Sequence, residues 1–559
     1  MQWRFQFRRI GFSVVSTVLA ASMAVASGTR PAEGGSGMVN VVNFIRGVEP
    51  RVQVDLYEPV VQQIRLAREY GLPVTFLIQY DALVQDRFVE LLRRELRETD
   101  EIGAWLEVVQ PQVEAAGLTW RGRFPWDWHT DVGFTVGYTP AQREKLIDVY
   151  MERFRAAFGR WPRSVGCWLI DAHTLNYLAD KYGIVAACIC KDQVGTDGYT
   201  LWGGYWNQAY YPSRRNAFMP AQSAERQLNV PVFRMLGSDP IYQYDHGLGE
   251  AAQGVVSLEP VYPQAGGNPD WVRWFFNVNF ATPSLGFGYA QVGQENSFGW
   301  PDMSKGLTDQ MRLLAEWSRA GRIRVETLSA SGEWFRRTFP HTPATSVSAL
   351  TDWKNEGRQS IWYNSRFYRM NLLVEQGGCR IRDLHLFDED YVERYLEKNV
   401  TTHACTYDTL PVVDGFNWSS PDHRAGLRPV LLGADGTRRP LTGDQPSTCR
   451  VTVSDPDALL IAVSAPGGGE LGIRCEPARL TCRLQGVTAR TEWGLELSWS
   501  PGKSVPIQRV AADSVEYLHN GFAYRLRCAA GTIESAAGRN GILIRADDTG
   551  TIRFEMAAR

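Results

Sequence analysis

Between residues 38 and 340 the chain alternates apolar runs with amphipathic stretches, and this alternation constrains the fold more than any other feature. The runs Val39–Ile45, Val74–Gln79, Ile102–Val108, Ser164–Ile170, Ile184–Cys190, Val230–Leu236, Phe287–Val292 and Ile323–Thr327 read as strands. Helical patterns lie between several of them: Glu58–Tyr70, Arg87–Arg97, Pro140–Phe158, His173–Tyr182 and Ser304–Ala320. In the third of these Leu146, Val149, Tyr150, Phe154 and Phe158 recur at helical spacing. Strands that are apolar throughout are covered on both faces, and alternation with helices makes them parallel. Seven or eight such units predict an α/β fold, a (β/α) barrel over 38–345, whose chemistry belongs at the carboxyl ends of its strands.

After about 345 the texture changes to short alternating runs separated by Gly, Pro and Asp turns, such as Leu459–Ser464, Leu471–Cys475, Leu495–Trp499, Ala523–Arg527 and Gly541–Arg545. The expectation for 346–559 is an antiparallel β-sandwich, with Glu389–Lys398 as its one helix. At the other end Arg4, Arg8 and Arg9 precede the apolar run Ile10–Met23 and Ala24-Val25-Ala26. That is the layout of a signal peptide over 1–26, followed by a Gly/Ser-rich leader over 27–37, and it predicts a secreted or periplasmic protein. No apolar run reaches the length of a membrane span. A net charge of −2 in 559 residues excludes a general nucleic-acid binder. The nine cysteines are too few for a disulfide scaffold, although Cys475 and Cys482 could pair locally. Cys188 and Cys190 point to opposite faces of one strand and could not. There is no CxxC and only eight His, so no metal ligand set and no cofactor are expected.

Acids recur where the expected strands end. Glu49 follows Arg46, Glu107 closes the third strand, Asp171 the fourth, Asp239 follows the sixth and Glu295 the seventh. Glycosidic bond cleavage needs two carboxyl groups, one protonated and one charged. Asp171 and Glu295 are the first candidates, Glu107 and Asp239 the next. For Asp171 the competing role is a helix N-cap; for Glu49, beside Arg46 and Arg51, it is an ion pair that shapes the rim. Tryptophans crowd the same ends, including Trp105, Trp126, Trp168, Trp202, Trp206 and Trp300 among 19 in the chain. Indole faces suit the apolar faces of sugars, so these, with His173, Arg46 and Glu49, are the expected carbohydrate contacts.

The stretch Gly166-Cys167-Trp168-Leu169-Ile170-Asp171 with the helix after it resembles the nucleophile region of glycoside hydrolase family 57 and is similar to that of class II α-mannosidases. The polysaccharide deacetylases share the barrel type. The chain as a whole, through Trp362–Arg369 and Arg382–Glu389, looks like bacterial proteins assigned as glycosyl hydrolases. The resemblance implies Asp171 as nucleophile, Glu295 as acid/base and a retaining course. Asp171 stands where family 57 has Glu and Ile170 where it has Pro. The mannosidase His-x-Asp pair and the deacetylase Asp-Asp and His-x-x-x-His motifs are missing, since the first His is His129. The expectation is therefore a metal-independent glycoside hydrolase with a poly- or oligosaccharide substrate. The alternatives are a deacetylase-like enzyme modifying a polysaccharide, or a glycan-binding protein on a degenerate barrel.

Overall fold

A computed structural model describes residues 37–441, 448–465, 468–487, 491–535 and 541–557. The expected signal peptide and all of the leader except Gly37 lie outside them. Eight strands appear where the apolar runs predict them: β1 (Gly37–Ile45), β2 (Thr75–Ile78), β3 (Glu101–Trp105), β4 (Ser164–Gly166), β5 (Ala186–Ile189), β6 (Val232–Arg234), β7 (Tyr289–Val292) and β8 (Ile323–Glu326). Gly37 belongs to β1 rather than to a leader. β1 to β6 pair in sequence order, all parallel. β7 and β8 both pair with β1, again in parallel.

The sheet curls but is a half-barrel rather than the closed barrel expected from the alternation. The outer edge of β6 is taken by a short antiparallel strand, Ala209–Tyr210, so its backbone groups are not available to β7. Across the gap the two strands meet through side chains alone, with the Phe233 and Tyr289 rings 5.1 Å apart.

Covering helices include Glu58–Tyr70, Pro140–Phe158, Pro269–Phe280, Trp300–Arg319 and Leu328–Thr338. Pro140–Phe158 buries Leu146, Ile147, Tyr150, Met151 and Phe154, the stripe its spacing predicts. No helix among the described residues is long and apolar enough to cross a membrane.

From Thr345 most strands form two antiparallel sheets, one starting at Thr345–Ala349 and one at Cys449–Asp455, while Cys405–Asp408 pairs in parallel with Tyr199–Trp202. In the second, strands such as Leu480 to Leu484 alternate buried and exposed residues, as a one-faced sheet requires. One apolar core nevertheless runs from Met38 to Met556.

Two local expectations fail. Glu389–Lys398 is irregular, not helical. Its Glu393 carboxylate instead accepts the backbone N–H groups of Ala172 and Ala217, and its Glu393 N–H donates to Arg215, so tertiary bonds replace the i→i−4 ladder. Cys475 and Cys482 are unpaired thiols, and all nine cysteines are free and buried. In their adjacent strands Cys475 faces Leu480 and Cys482 faces Ile473, which sets the two sulfurs out of register.

Candidate active site at the carboxyl edge of the parallel sheet

The strands of the half-barrel deliver polar side chains to one edge, and those of β1, β3 and β7 converge. Arg46, just past β1, is 2% exposed. Its Nε and Nη2 donate to Glu107 at 3.1 and 3.0 Å, and the same Nη2 lies 3.0 Å from Glu295 Oε2. Its Nη1 is 3.6 Å from Glu49. Two carboxylates therefore share one guanidinium nitrogen, which keeps their nearest oxygens within about 6 Å of each other, since tight N–H···O contacts run near 3 Å. Burial works against the charge of Arg46, but Glu107, Glu295 and Glu49 outweigh it and raise its pKa above the ordinary value.

Glu107 is the most constrained of these acids. Besides Arg46 it accepts from Trp105 Nε1 at 2.8 Å, Trp168 Nε1 at 2.7 Å and Gln79 Nε2 at 3.1 Å. Burial raises its pKa, with Glu295 adding to the shift and Arg46 and the two indoles opposing it. The β7 exit is tied to the β1 exit by Asn296, whose amide bonds both the N–H and the carbonyl of Arg46. Gln294 donates its backbone N–H to Asn43. These bonds set where Glu295 projects.

Two acids outside the named candidates belong to this edge: Asp81, which the sequence places at the end of the second strand, and Glu259, which the sequence reading does not single out. Burial pushes Glu259, in the loop after β6, up to about 7, with Glu295 adding to the shift. Ser257, whose hydroxyl donates at 2.8 Å, Lys191 past β5 and Gln294 pull it the other way. Burial lowers Lys191 in turn, against the pull of Cys190, Glu259 and Asp192. Asp81, after β2, is likewise pushed by burial to about 7 although it accepts the N–H groups of Gly47 and Ala82. A loop acid carries no periodic signal. Only Glu259 being followed by Pro260, and so fixed in extended backbone, sets it apart in the sequence.

The other predicted residues are placed differently. Asp171 is 0% exposed and caps the helix Ala172–Tyr177. It accepts Thr174 N–H and Oγ1, Thr135 Oγ1 and Arg143 Nη1, all at 2.7–2.8 Å, and none of its bonds reaches the Arg46 cluster. Asp239 accepts the N–H groups of Ile241 and Tyr242 and the indole N–H groups of Trp271 and Trp353. Both carboxylates are consumed by local structure. Arg51 engages Glu49 through two side-chain bonds of 2.8 and 2.7 Å, and this pairing holds Glu49 below the ordinary carboxylate range despite burial.

The tryptophans do not form one open platform. Trp105 stacks on Phe44 in the core at 4.1 Å. Trp202 and Trp206 are buried in a separate aromatic cluster, where Trp206 stacks on Trp362 at 4.3 Å. Trp168 is half-buried and serves Glu107. Trp300 is half-buried at the start of the helix Trp300–Arg319. Trp126 roofs the cluster, its ring centroid 4.1 Å from the Arg46 guanidinium and 4.7 Å from that of Arg51. His173 lies 3.0 Å from Glu144 and lines an open recess of about 400 Å³ with Tyr177 and Lys181, apart from the acids.

No family model and no curated protein matches the chain. Among solved structures it is similar to a Parabacteroides distasonis protein provisionally named a glycoside hydrolase/deacetylase, with 16% identity and a TM-score of 0.46 over 70% of this chain and 89% of that one. It is similar also to a Mycobacterium smegmatis protein provisionally named a polysaccharide deacetylase (13% identity, TM-score 0.34, 56% and 94% covered). An allantoinase stands at the same level (12% identity, TM-score 0.34, 57% and 98% covered). Likeness this distant says nothing of chemistry, which rests on the residues above.

Proposed function

We propose that the chain is an exported hydrolase of glycosidic bonds in a poly- or oligosaccharide, and that Glu259 and Glu295 are its reacting carboxyl groups. One carboxyl must bring a proton to the leaving oxygen, and the other must stay charged to attack the anomeric carbon or activate water. The contrast between these two side chains carries the reading. Glu259 is pushed by burial to about 7 and so holds its proton near neutrality, while Glu295 lies 3.0 Å from the Arg46 guanidinium. Glu259 is then the general acid and Glu295 the nucleophile or base. Arg46 and Glu107 position Glu295. Asp171, the nucleophile implied by the family resemblance, has the partners of a structural cap. Trp126 closes the site above Arg46, so the segment that carries it moves aside for a sugar ring to enter.

The test is a panel of polysaccharides incubated with wild type, Glu295→Gln and Glu259→Gln, scored for new reducing ends, for acetate and for binding. Reducing ends from wild type, lost at least about 100-fold in both variants while binding persists, are the expected result. General acid–base catalysis alone is worth that much. Acetate without reducing ends would replace the reading with deacetylation, and binding without either product would replace it with glycan recognition. The anomer first released, read by NMR, tells retention from inversion.

A further inference from the structure

Outside this cluster, two histidines and an aspartate from distant parts of the chain come together. His129 and Asp131 flank Thr130 at the end of the roof segment, and His403 precedes the strand Cys405–Asp408. One ligand atom from each of the three lies within 4.8 Å of the others. The imidazoles of His129 and His403 stack at 3.8 Å, and His403 Nδ1 is 3.1 Å from Asp131 Oδ1. The backbone frames the cluster: Thr130 N–H donates to the His403 carbonyl and Thr130 Oγ1 to that of Thr402. Two imidazoles face to face beside a carboxylate gain little from one another, but the three together are a borderline-soft donor set for a divalent ion.

We infer that His129, Asp131 and His403 form a binding site for a divalent first-row transition ion such as zinc, which clamps the roof segment to the antiparallel part of the chain. Tetrahedral ligands at about 2.0–2.1 Å from zinc stand roughly 3.4 Å apart, so the side chains close in by about an ångström and one of the stacked imidazoles turns so that both in-plane lone pairs meet the ion. His403, 70% exposed, is free to make that adjustment. The clamp bears on the site because Trp126 and Trp128, just before His129, lie over Arg46 and Arg51.

Titration of the untagged full-length chain, stripped with EDTA, with zinc chloride in a calorimeter tests this. The buried thiols do not compete in the folded chain. One equivalent is expected to bind, with affinity reduced at least about 10-fold in His403→Ala and in Asp131→Asn, and unchanged in His341→Ala, which alters an exposed histidine elsewhere. Zinc should also slow proteolysis of segment 121–133 in wild type and not in His403→Ala. Circular dichroism verifies that each variant is folded, and His403→Gln serves if His403→Ala is not. No saturable binding at 100-fold excess of zinc over protein, or binding that His129→Ala and His403→Ala both leave intact, overturns the inference.

Discussion

Glu107 accepts five hydrogen bonds from four side chains, three of them buried and the fourth, Trp168, half-buried. Such a group is strongly destabilising to alter, because every donor around it is left without an acceptor. Glu107→Gln puts an amide N–H against these donors and takes the charge from beside Arg46. The expected result is a loss of about 3–5 kcal/mol in chemical denaturation, together with a lower kcat from a misplaced Glu295. Asp171→Asn separates the two effects. It breaks a fully buried pair with Arg143, 2.8 Å away, so stability should fall by a similar ~3 kcal/mol or more. The kcat of the folded fraction should stay near wild type, because Asp171 does not touch the cluster. A kcat for Asp171→Asn as low as that for Glu295→Gln would return the nucleophile to Asp171.

Between elements, the position of Glu295 depends on how closely β7 approaches β1. Gly293, at the β7 exit, has φ +116°, and a Cβ there would stand 2.0 Å from the Val42 carbonyl oxygen. Gly293→Ala must therefore push the two strands apart and carry Glu295 away from Arg46. It should cost both activity and stability, the latter by about 2 kcal/mol or more for a strained backbone and a lost contact, read in paired assays and melts. Segment 389–398 is held at its place by Glu393, which burial, with Asp171 nearby, pushes up to about 8. The folded chain therefore binds this proton more tightly than the unfolded chain does. Its contribution to stability is complete below the ordinary carboxyl range and is lost as pH rises through about 8. Glu259 and Asp81, both near 7, act in the same direction. Unfolding free energy should decline between pH 6.5 and 8.5, above the range in which the buried His385, lowered to about 3, works the other way, and Glu393→Gln should flatten part of that decline. A slope unchanged in this variant would show that Glu393 is not protonated in the folded chain.

Over the whole molecule, the change from parallel to antiparallel strands at Thr345 does not divide the core. Strand Cys405–Asp408 pairs with Tyr199–Trp202 from the first part. Arg369 pairs with Asp192, and Glu393 accepts from Ala172 and Ala217. Removing residues after 344 would take Arg369 from Asp192 and leave the apolar faces over the half-barrel and two backbone N–H groups without partners. Such a truncated chain should fail to accumulate as soluble protein, while the full chain should unfold in one cooperative calorimetric transition. Two well-separated transitions would show that the parts are energetically independent.

Strand and helix placement over 38–340 was legible in the sequence, because burial on both faces or on one stripe imposes a period that single residues report. So was the antiparallel texture after 345, and so were the acids that crowd the strand ends. Which acids act together was not legible. Asp171 and Glu107 look alike in the chain, each ending an apolar strand, yet one finds Arg143 and a helix N-terminus and the other finds Arg46 and two indoles. Glu259 has no periodic context at all, and its raised pKa comes from burial created by segments distant in sequence. Periodicity is a local property read residue by residue. Desolvation and charge pairing depend on which distant groups the fold brings within a few ångströms, and only the tertiary structure decides that.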